Sequence, residues 1–376
     1  MSLDWQRIRN EFPALERWTY LNTATYGQAP RRASEAMAAH MTHRDELACS
    51  DFLSWFDDAD RLRASIARLI GASAEDIAFT GPASVALATL LGGLEWRAGD
   101  RVVTLENEFP NNLYAPHFAG TGVEFVETPW ERFYDAVTPN TRLVLMSMLN
   151  YSNGFRPPLE EVGAHLRERG NLFYLDGTQG LGALRFDVRA VRPSMFAVHG
   201  YKWLMSPTGA GFMYVDPELR RVLQPTVVGW RSDKNWRRVD SLNHGRPEFT
   251  DAAERYEGGM IPHVLLYAME QCVEMVLETG PDAIERRTLE LADRVRAAIR
   301  DCGGDAVDGA TPIVAGRFDG VDVSALARDL KDRRVVVSAR HGHLRVSPHF
   351  YNNEADIERF RAELRGVLAA RRAHTQ

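Results

Sequence analysis

Ala197-Val198-His199-Gly200-Tyr201-Lys202-Trp203-Leu204-Met205-Ser206-Pro207-Thr208-Gly209-Ala210-Gly211-Phe212-Met213-Tyr214-Val215 holds two short apolar stretches around a glycine-rich turn. The stretches, around 195–198 and 211–215, read as strands. Lys202 lies in the turn between them. Of 45 lysines and arginines in the chain only three, Lys202, Lys234 and Lys331, are lysines. Where arginine is the default cation, a lysine invites a chemical explanation: arginine cannot release its proton at working pH, whereas a neutral lysine amine can attack an aldehyde. Lys234 sits in a polar loop and Lys331 near the end of a charged helix. Lys202 alone has aromatic and apolar neighbours, a histidine and a glycine-rich turn, which favours a Schiff-base lysine over a surface one.

Working outward toward the amino terminus, apolar runs alternate with helical patterns. Strand 171–175 ends at Asp176-Gly177-Thr178-Gln179. Strand 142–148 leads into Asn150-Tyr151-Ser152-Asn153-Gly154 and a helix over 158–169, with Gly170 as its stop. Strand 123–127 precedes it. Strand 101–105 leads into Glu106-Asn107-Glu108-Phe109-Pro110-Asn111-Asn112 and a helix to about 118. Strand 76–80 leads into Gly81-Pro82-Ala83-Ser84 and a helix to 94. Before these come a helix over 57–70, with Leu62, Ile66, Leu69 and Ile70 on one face, and a helix opened by Pro30. The first residues read as an amphipathic helix over 3–15 and a brief strand within Trp18–Gly27. Beyond Val215 the pattern is irregular until two long helices, 262–279 and 282–301, parted by Gly280-Pro281. The tail reads strand 312–317, helix 322–333, strands 334–338 and 343–347, helix 354–371.

Strands alternating with helices predict an α/β fold with a mostly parallel central sheet flanked by helices. The expected division is a large α/β domain over 16–260 and a smaller α+β domain over 261–376 joined by 1–15. In such sheets the ligand lies beyond the carboxyl ends of the strands. Ser84, Phe109, Asn150, Asp176 and Gln179 all fall there.

The 376 residues, 45% apolar and 26% charged, suit an ordinary globular protein with more than one domain. Net charge is −6 and no basic run stands out, which argues against nucleic acid or an anionic membrane as partner. No signal peptide and no membrane-length apolar run is visible. Cys49, Cys272 and Cys302 are too few and too scattered for a disulfide framework, so a cytoplasmic setting is expected. The pairs His40 with His43 and His341 with His343 lack further ligands at metal spacing, and no metal is expected.

An aldehyde cofactor on Lys202 suggests pyridoxal 5′-phosphate, which needs an anion site, a carboxylate for its ring nitrogen and an apolar plate. Ala83 and Ser84 open a helix after a Gly-Pro turn, where free N–H groups and the helix dipole bind phosphate; a plain capped helix would read the same. His199 and Tyr201 add donors. Asp176 closes the apolar strand Leu172-Phe173-Tyr174-Leu175 and has no structural duty legible in the sequence. Phe109 is the candidate plate or a core residue. Gln179 is a donor to the ring hydroxyl or a turn residue.

Asp176-Gly177-Thr178-Gln179, His199-Gly200-Tyr201-Lys202-Trp203-Leu204 and Pro207-Thr208-Gly209-Ala210-Gly211 resemble the class V aminotransferases, a group of fold type I pyridoxal-phosphate enzymes. The group includes cysteine desulfurases, serine–glyoxylate aminotransferases, kynureninases and isopenicillin N epimerase-like proteins. Tyr20-Leu21-Asn22-Thr23-Ala24, Glu108-Phe109-Pro110-Asn111 and Leu344-Arg345-Val346-Ser347-Pro348-His349-Phe350-Tyr351-Asn352 extend the resemblance over nearly the whole chain. It implies Lys202 as the cofactor lysine and proton carrier at Cα, and Asp176 on the pyridinium nitrogen. It implies Gln179 and Asn150 near the ring hydroxyl, and Ala83, Ser84, His199 and Tyr201 on the phosphate. Phe109 would stack on the ring. Arg345 would bind the substrate carboxylate, with Asn22 and Tyr26 also on the substrate side. A homodimer acting on a small amino acid is implied as well.

Three departures from the group's pattern carry consequences. Phe109 stands where many relatives stack a histidine, so proton transfers assigned to that histidine are not open here. Met260, after Gly259, stands where many place a threonine reaching the partner subunit's phosphate. Nothing between Val337 and Arg345 supplies the nucleophilic cysteine of a desulfurase. Transamination is the first expectation. A β-eliminating C–S lyase or an epimerase comes next, and a non-catalytic cofactor-binding protein is a remoter reading.

Overall fold

The computed structural model describes residues 3–375. Met1, Ser2 and Gln376, which fall in the spans assigned above to the small domain, lie outside the described residues. Seven strands form the main sheet: β1 Ile77–Thr80, β2 Arg101–Leu105, β3 Glu124–Thr128, β4 Thr141–Ser147, β5 Leu172–Asp176, β6 Met195–His199 and β7 Gly211–Val215. Their order is β1-β7-β6-β5-β4-β2-β3. β7 runs antiparallel to both β1 and β6, and every other pair is parallel. The sheet is therefore mostly parallel, as expected, with Lys202 in the turn that reverses the chain between β6 and β7.

The central strands are apolar on both faces because helices cover both. Val144, Met146, Phe173, Leu175, Phe196 and Phe212 look into one cluster, which also holds Phe56, Leu62 and Ile66 of helix Ser54–Ile70. Leu143, Leu145, Tyr174, Met195 and Met213 look into the other, against Leu87, Leu90 and Leu91 of helix Ala83–Gly93. Each such side chain contributes about 1.5–3 kcal/mol by leaving water. The helix carrying Ala83 and Ser84 is thereby fixed against the strands that carry Asp176 and Lys202.

Differences from the sequence reading arise mostly at prolines. The expected helix over 3–15 splits into Trp5–Arg9 and a 3₁₀ turn Pro13–Glu16, since proline cannot continue a helix it interrupts. The helix after Phe109 ends at Tyr114 and passes into a 3₁₀ turn containing Pro116. Pro30 is the cap of helix Arg31–Leu47. The strand expected over 334–338 divides in two. Val335–Val336 pairs with Thr19–Tyr20. Ser338–Arg340 joins a second sheet made of β8 Asp305–Ala306, β9 Val314–Arg317, β10 Ser338–Arg340 and β11 His343–Val346, in the order β10-β11-β9-β8.

Apolar contacts cross the expected boundary at 260/261. Leu266, Met269, Val273 and Val276 of helix His263–Thr279, with Phe12 and Leu15, pack into the main-sheet cluster. Helix Pro281–Asp301 gives Ile284 to that cluster and Leu291, Val295 and Ile299 to the small sheet's own core. We propose that the small domain begins inside this helix, near Leu291. The irregular segment after β7 is held by a fully buried carboxylate. Glu257 pairs with Arg63 at 2.6 Å and Arg231 at 2.9 Å, and accepts the Phe79 N–H of β1.

Candidate active site

Parallel strands in register bring their carboxyl ends to one edge. Ser147 at the end of β4 lies beside Asp176 at the end of β5, and Asp176 lies beside Ala197 in β6. A cavity of about 190 Å³, opening to solvent, lies at this edge. Ala83, Ser84, Phe109, Asp176, Gln179, His199, Tyr201 and Lys202 all line it. Ser147, Tyr151 and Thr178 line it too, and sequence reasoning named none of them as site residues.

Lys202 is only 6% exposed. Its Nζ lies 5.4 Å from the centroid of the Phe109 ring and 5.3 Å from that of Tyr201. Burial lowers its pKa to about 8; Asp176 opposes the shift, while Arg345 and Arg340 add to it. The turn that presents Lys202 is clamped from several sides. Trp203, fully buried, donates its indole N–H to Gln179 Oε1 at 3.0 Å, and its carbonyl contacts His349 Nε2 at 2.9 Å. Gly27 crosses so close that a Cβ there would stand 1.9 Å from the Lys202 carbonyl oxygen, and its N–H donates to the Tyr201 carbonyl.

Asp176 is buried and accepts the Thr178 N–H at 2.9 Å. Burial raises its pKa; the Thr178 bonds and Lys202 pull the other way. A carboxylate in that state has room for a cationic partner, which a protonated pyridine nitrogen would supply. Phe109 precedes the short helix Pro110–Tyr114. Its backbone is held by Glu108, whose buried carboxylate accepts from the N–H groups of Phe109 (3.1 Å) and Ser147 (2.6 Å) and from Asn112 Nδ2 (3.2 Å). Glu108 thus sets the height of the Phe109 ring over Lys202. The signal for it was present: it is a carboxylate three residues past the apolar strand β2, at the same sheet edge as Asp176.

The anion end is built from helix Ala83–Gly93. No side chain caps its start, so its first N–H groups are left for a ligand. The Tyr174 phenol donates to the Ala83 carbonyl at 3.2 Å and fixes this end to β5. Gly209, at φ 97°, donates its N–H to His199 Nε2 at 3.0 Å. That bond puts the ring proton on Nδ1, where it can be given to an anion. Burial, with Lys202 nearby, lowers the His199 pKa to about 4, so the ring is neutral near pH 7. Tyr201 packs edge-on against Tyr26 and, tilted, against His199.

Four of the expected residues lie outside the cavity lining. Asn150 spends its amide elsewhere: Nδ2 donates to the Asn107 carbonyl at 2.9 Å, and Oδ1 accepts from Ser152 N and Oγ and from Asn153 N. These bonds make it a turn-forming asparagine. Tyr26 is 45% exposed, and its hydroxyl meets Thr208. Asn22 accepts from Thr25 Oγ1 at 2.8 Å. Arg345 is 1% exposed; it donates to Ser338 Oγ at 3.2 Å, the Tyr151 carbonyl at 2.5 Å and Thr25 Oγ1 at 2.5 Å. Burial, with Arg340 beside it, lowers its pKa to about 9.

Cys272 and Cys302 are buried, and burial raises the Cys272 thiol to about 12; none of the three cysteines lines the cavity. Among the described residues there is no cluster of side chains suited to a metal ion, and no helix long and apolar enough to cross a membrane.

The comparisons with known proteins agree with this geometry. A sequence profile described as Aminotransferase class-V matches residues 19–360. A probable cysteine desulfurase of Methanothermobacter thermautotrophicus is 24% identical, over 93% of this chain and 95% of its own length. The isopenicillin N epimerase of Streptomyces clavuligerus is 25% identical, over 95% and 96%. Among solved structures, a variant of C-DES with glycine covalently linked to its PLP cofactor superposes with a TM-score of 0.88 at 20% identity, covering 97% of this chain and 99% of that one. At that identity the superposition shows the fold, that of the fold type I pyridoxal-phosphate enzymes. The profile spans all three sheets and every cavity-lining residue, and an uncapped helix start, a buried carboxylate and a buried low-pKa lysine around one cavity suit pyridoxal 5′-phosphate. By these measures the chain belongs to the class V aminotransferase family of pyridoxal-phosphate enzymes.

Proposed function

We propose that the protein is an aminotransferase acting at Cα of a small amino acid. When bound, pyridoxal 5′-phosphate supplies an aldehyde that joins amines and a ring that accepts the electron pair left at Cα. The observation that carries the reading is the character of Lys202. Its pKa, lowered to about 8 by burial, is poised to give and take a proton near neutrality. The His199 pKa is lowered to about 4 and its Nε2 is already engaged. Burial raises the Tyr201 phenol. A single base that takes the proton from Cα and would deliver it, on the same face, to the cofactor's aldehyde carbon suits transamination; epimerisation calls for a second donor on the other face.

Each remaining residue has a part. Asp176 holds positive charge at the ring nitrogen. Ala83 and Ser84 N–H groups and His199 Nδ1–H bind the phosphate, with Tyr201 beside them. Phe109 covers the ring and keeps water from it. Gln179 Nε2 donates one proton to the Ala24 carbonyl at 3.0 Å and has a second for the ring oxygen. Arg345 binds the substrate carboxylate through two N–H groups, and Asn22 steadies it through Thr25.

C–S lysis is the second reading. A sulfur leaving group can depart without being protonated, so it also needs one base, and relatives bear desulfurase names. A protein-bound persulfide is not part of either reading, since no cysteine lines the cavity. We further propose a homodimer, which would cover the exposed Val227, Val228 and Met260, and a cytoplasmic setting, in keeping with three free cysteines.

The test is to mix holoprotein with a panel of amino acids and no keto acid. One equivalent of keto acid with an aminated cofactor supports transamination. Pyruvate with ammonia or sulfide and an unchanged cofactor means lysis. No response to any amino acid would overturn both. Iodoacetamide should leave the turnover intact.

A further inference from the structure

The other buried arginines among the described residues are matched by carboxylates: Arg63 and Arg231 by Glu257, and Arg296 by Asp293. Arg345 is as buried as any of these, yet no carboxylate pairs with it among the described residues. A charge left this way is costly unless a ligand meets it. The same holds for Arg340, half-buried at the end of β10 and without a carboxylate partner among the described residues.

The two arginines are neighbours by construction. Ser338 of β10 lies opposite Arg345 of β11, and Arg340 lies opposite His343. Facing residues in an antiparallel pair share a face, and so do residues two apart along a strand. Arg340 and Arg345 are therefore diagonal neighbours on one face of the sheet. Both reach one acceptor: Thr25 Oγ1 takes a hydrogen bond from Arg345 Nη2 at 2.5 Å and one from Arg340 Nη2 at 3.4 Å, and donates its own proton to Asn22. One neutral hydroxyl stands between two guanidinium groups.

We propose that Arg340 is a second anion-binding residue of the active site, and that the substrate is an amino acid with an acidic side chain. Arg345 takes the α-carboxylate and Arg340 the side-chain carboxylate. The inference rests on the reading of Arg345 as the substrate-carboxylate residue. It accounts for two cations side by side: each keeps an N–H directed at a shared acceptor, and a dianion neutralises both. The field of both guanidinium groups also reaches Lys202, so a bound dianion would raise the pKa of that amine.

Unreactive dicarboxylates test this without turnover. Holoprotein is titrated with succinate and with succinamate, its half-amide, by calorimetry and by cofactor absorbance. A charge-assisted hydrogen bond predicts that succinate binds about tenfold or more tightly than succinamate. Arg340→Gln should erase that ratio, and Arg340→Lys should keep part of it. L-Aspartate should likewise be favoured over L-asparagine in the cofactor spectrum. Equal binding of succinate and succinamate by the wild-type protein overturns the inference, as does an Arg340→Gln variant that keeps the ratio. The wild-type comparison decides even if a variant does not fold. A succinate preference seen by calorimetry, with no absorbance response to any amine, would spare the inference and sink the Lys202 reading instead.

Discussion

At pH 7 an exposed lysine carries its proton and is inert toward aldehydes; Lys202, with its pKa lowered to about 8 by burial, has a usable neutral fraction. The rate at which apoprotein combines with pyridoxal 5′-phosphate should therefore rise with pH and level off above about 8, read by stopped-flow absorbance. A plateau reached only above pH 10 would contradict it. Stability carries the same signature. Below pH 8 the folded protein must hold a buried charge, and that cost is relieved as pH rises from about 8 toward the ordinary 10.5. Apoprotein with Lys202→Met should be more stable than wild type by about 3 kcal/mol at pH 7, the gap closing toward pH 10.5; denaturant midpoints measure it. Lys202 was legible because lysine is rare here, and Asp176 because a carboxylate ends an apolar strand. Asn150 was less legible: an asparagine past a strand end serves a turn as readily as a ligand, and its turn appears only in its hydrogen bonds.

The elements around Lys202 are held by close approach rather than by regular structure. Gly27 is the clearest case: with a Cβ it would overlap the Lys202 carbonyl at 1.9 Å. Gly27→Ala should displace the Lys202 turn and weaken cofactor retention at least tenfold, measured by dialysis and absorbance, while the far-UV spectrum stays native. Unchanged retention would mean that the turn yields without cost. The strands themselves were readable because fully covered strands are continuous apolar runs. The direction of β7 was not, since pairing direction depends on whether the chain turns back or crosses over, and apolar content is the same for both. Likewise Thr25 and Arg340 looked ordinary in sequence; they gain meaning from strand register, which brings together residues hundreds of positions apart.

The molecule is tied together by segments that cross between its two cores. Helix Pro281–Asp301 serves both, and the chain around Thr19–Thr23 pairs with Val335–Val336 and Ser347 before passing to the Lys202 turn. Glu257 does the same for the segment after β7, binding it to Arg63 and to β1. Burial alone would raise its pKa, but Arg63 and Arg231 outweigh that and lower it, so it is charged. Glu257→Ala would leave Arg231 only Glu254 and Arg63 only Asp60 as carboxylate partners and should cost about 3 kcal/mol of unfolding free energy; a loss below about 1 kcal/mol would show that water and the remaining carboxylates replace it. The central claim concerns one amine in this whole assembly. Intact holoprotein is reduced with borohydride, digested, and its three lysines are located by mass spectrometry. The account predicts one cofactor per chain, fixed to Lys202; a label on Lys234 or Lys331, or none, would contradict it.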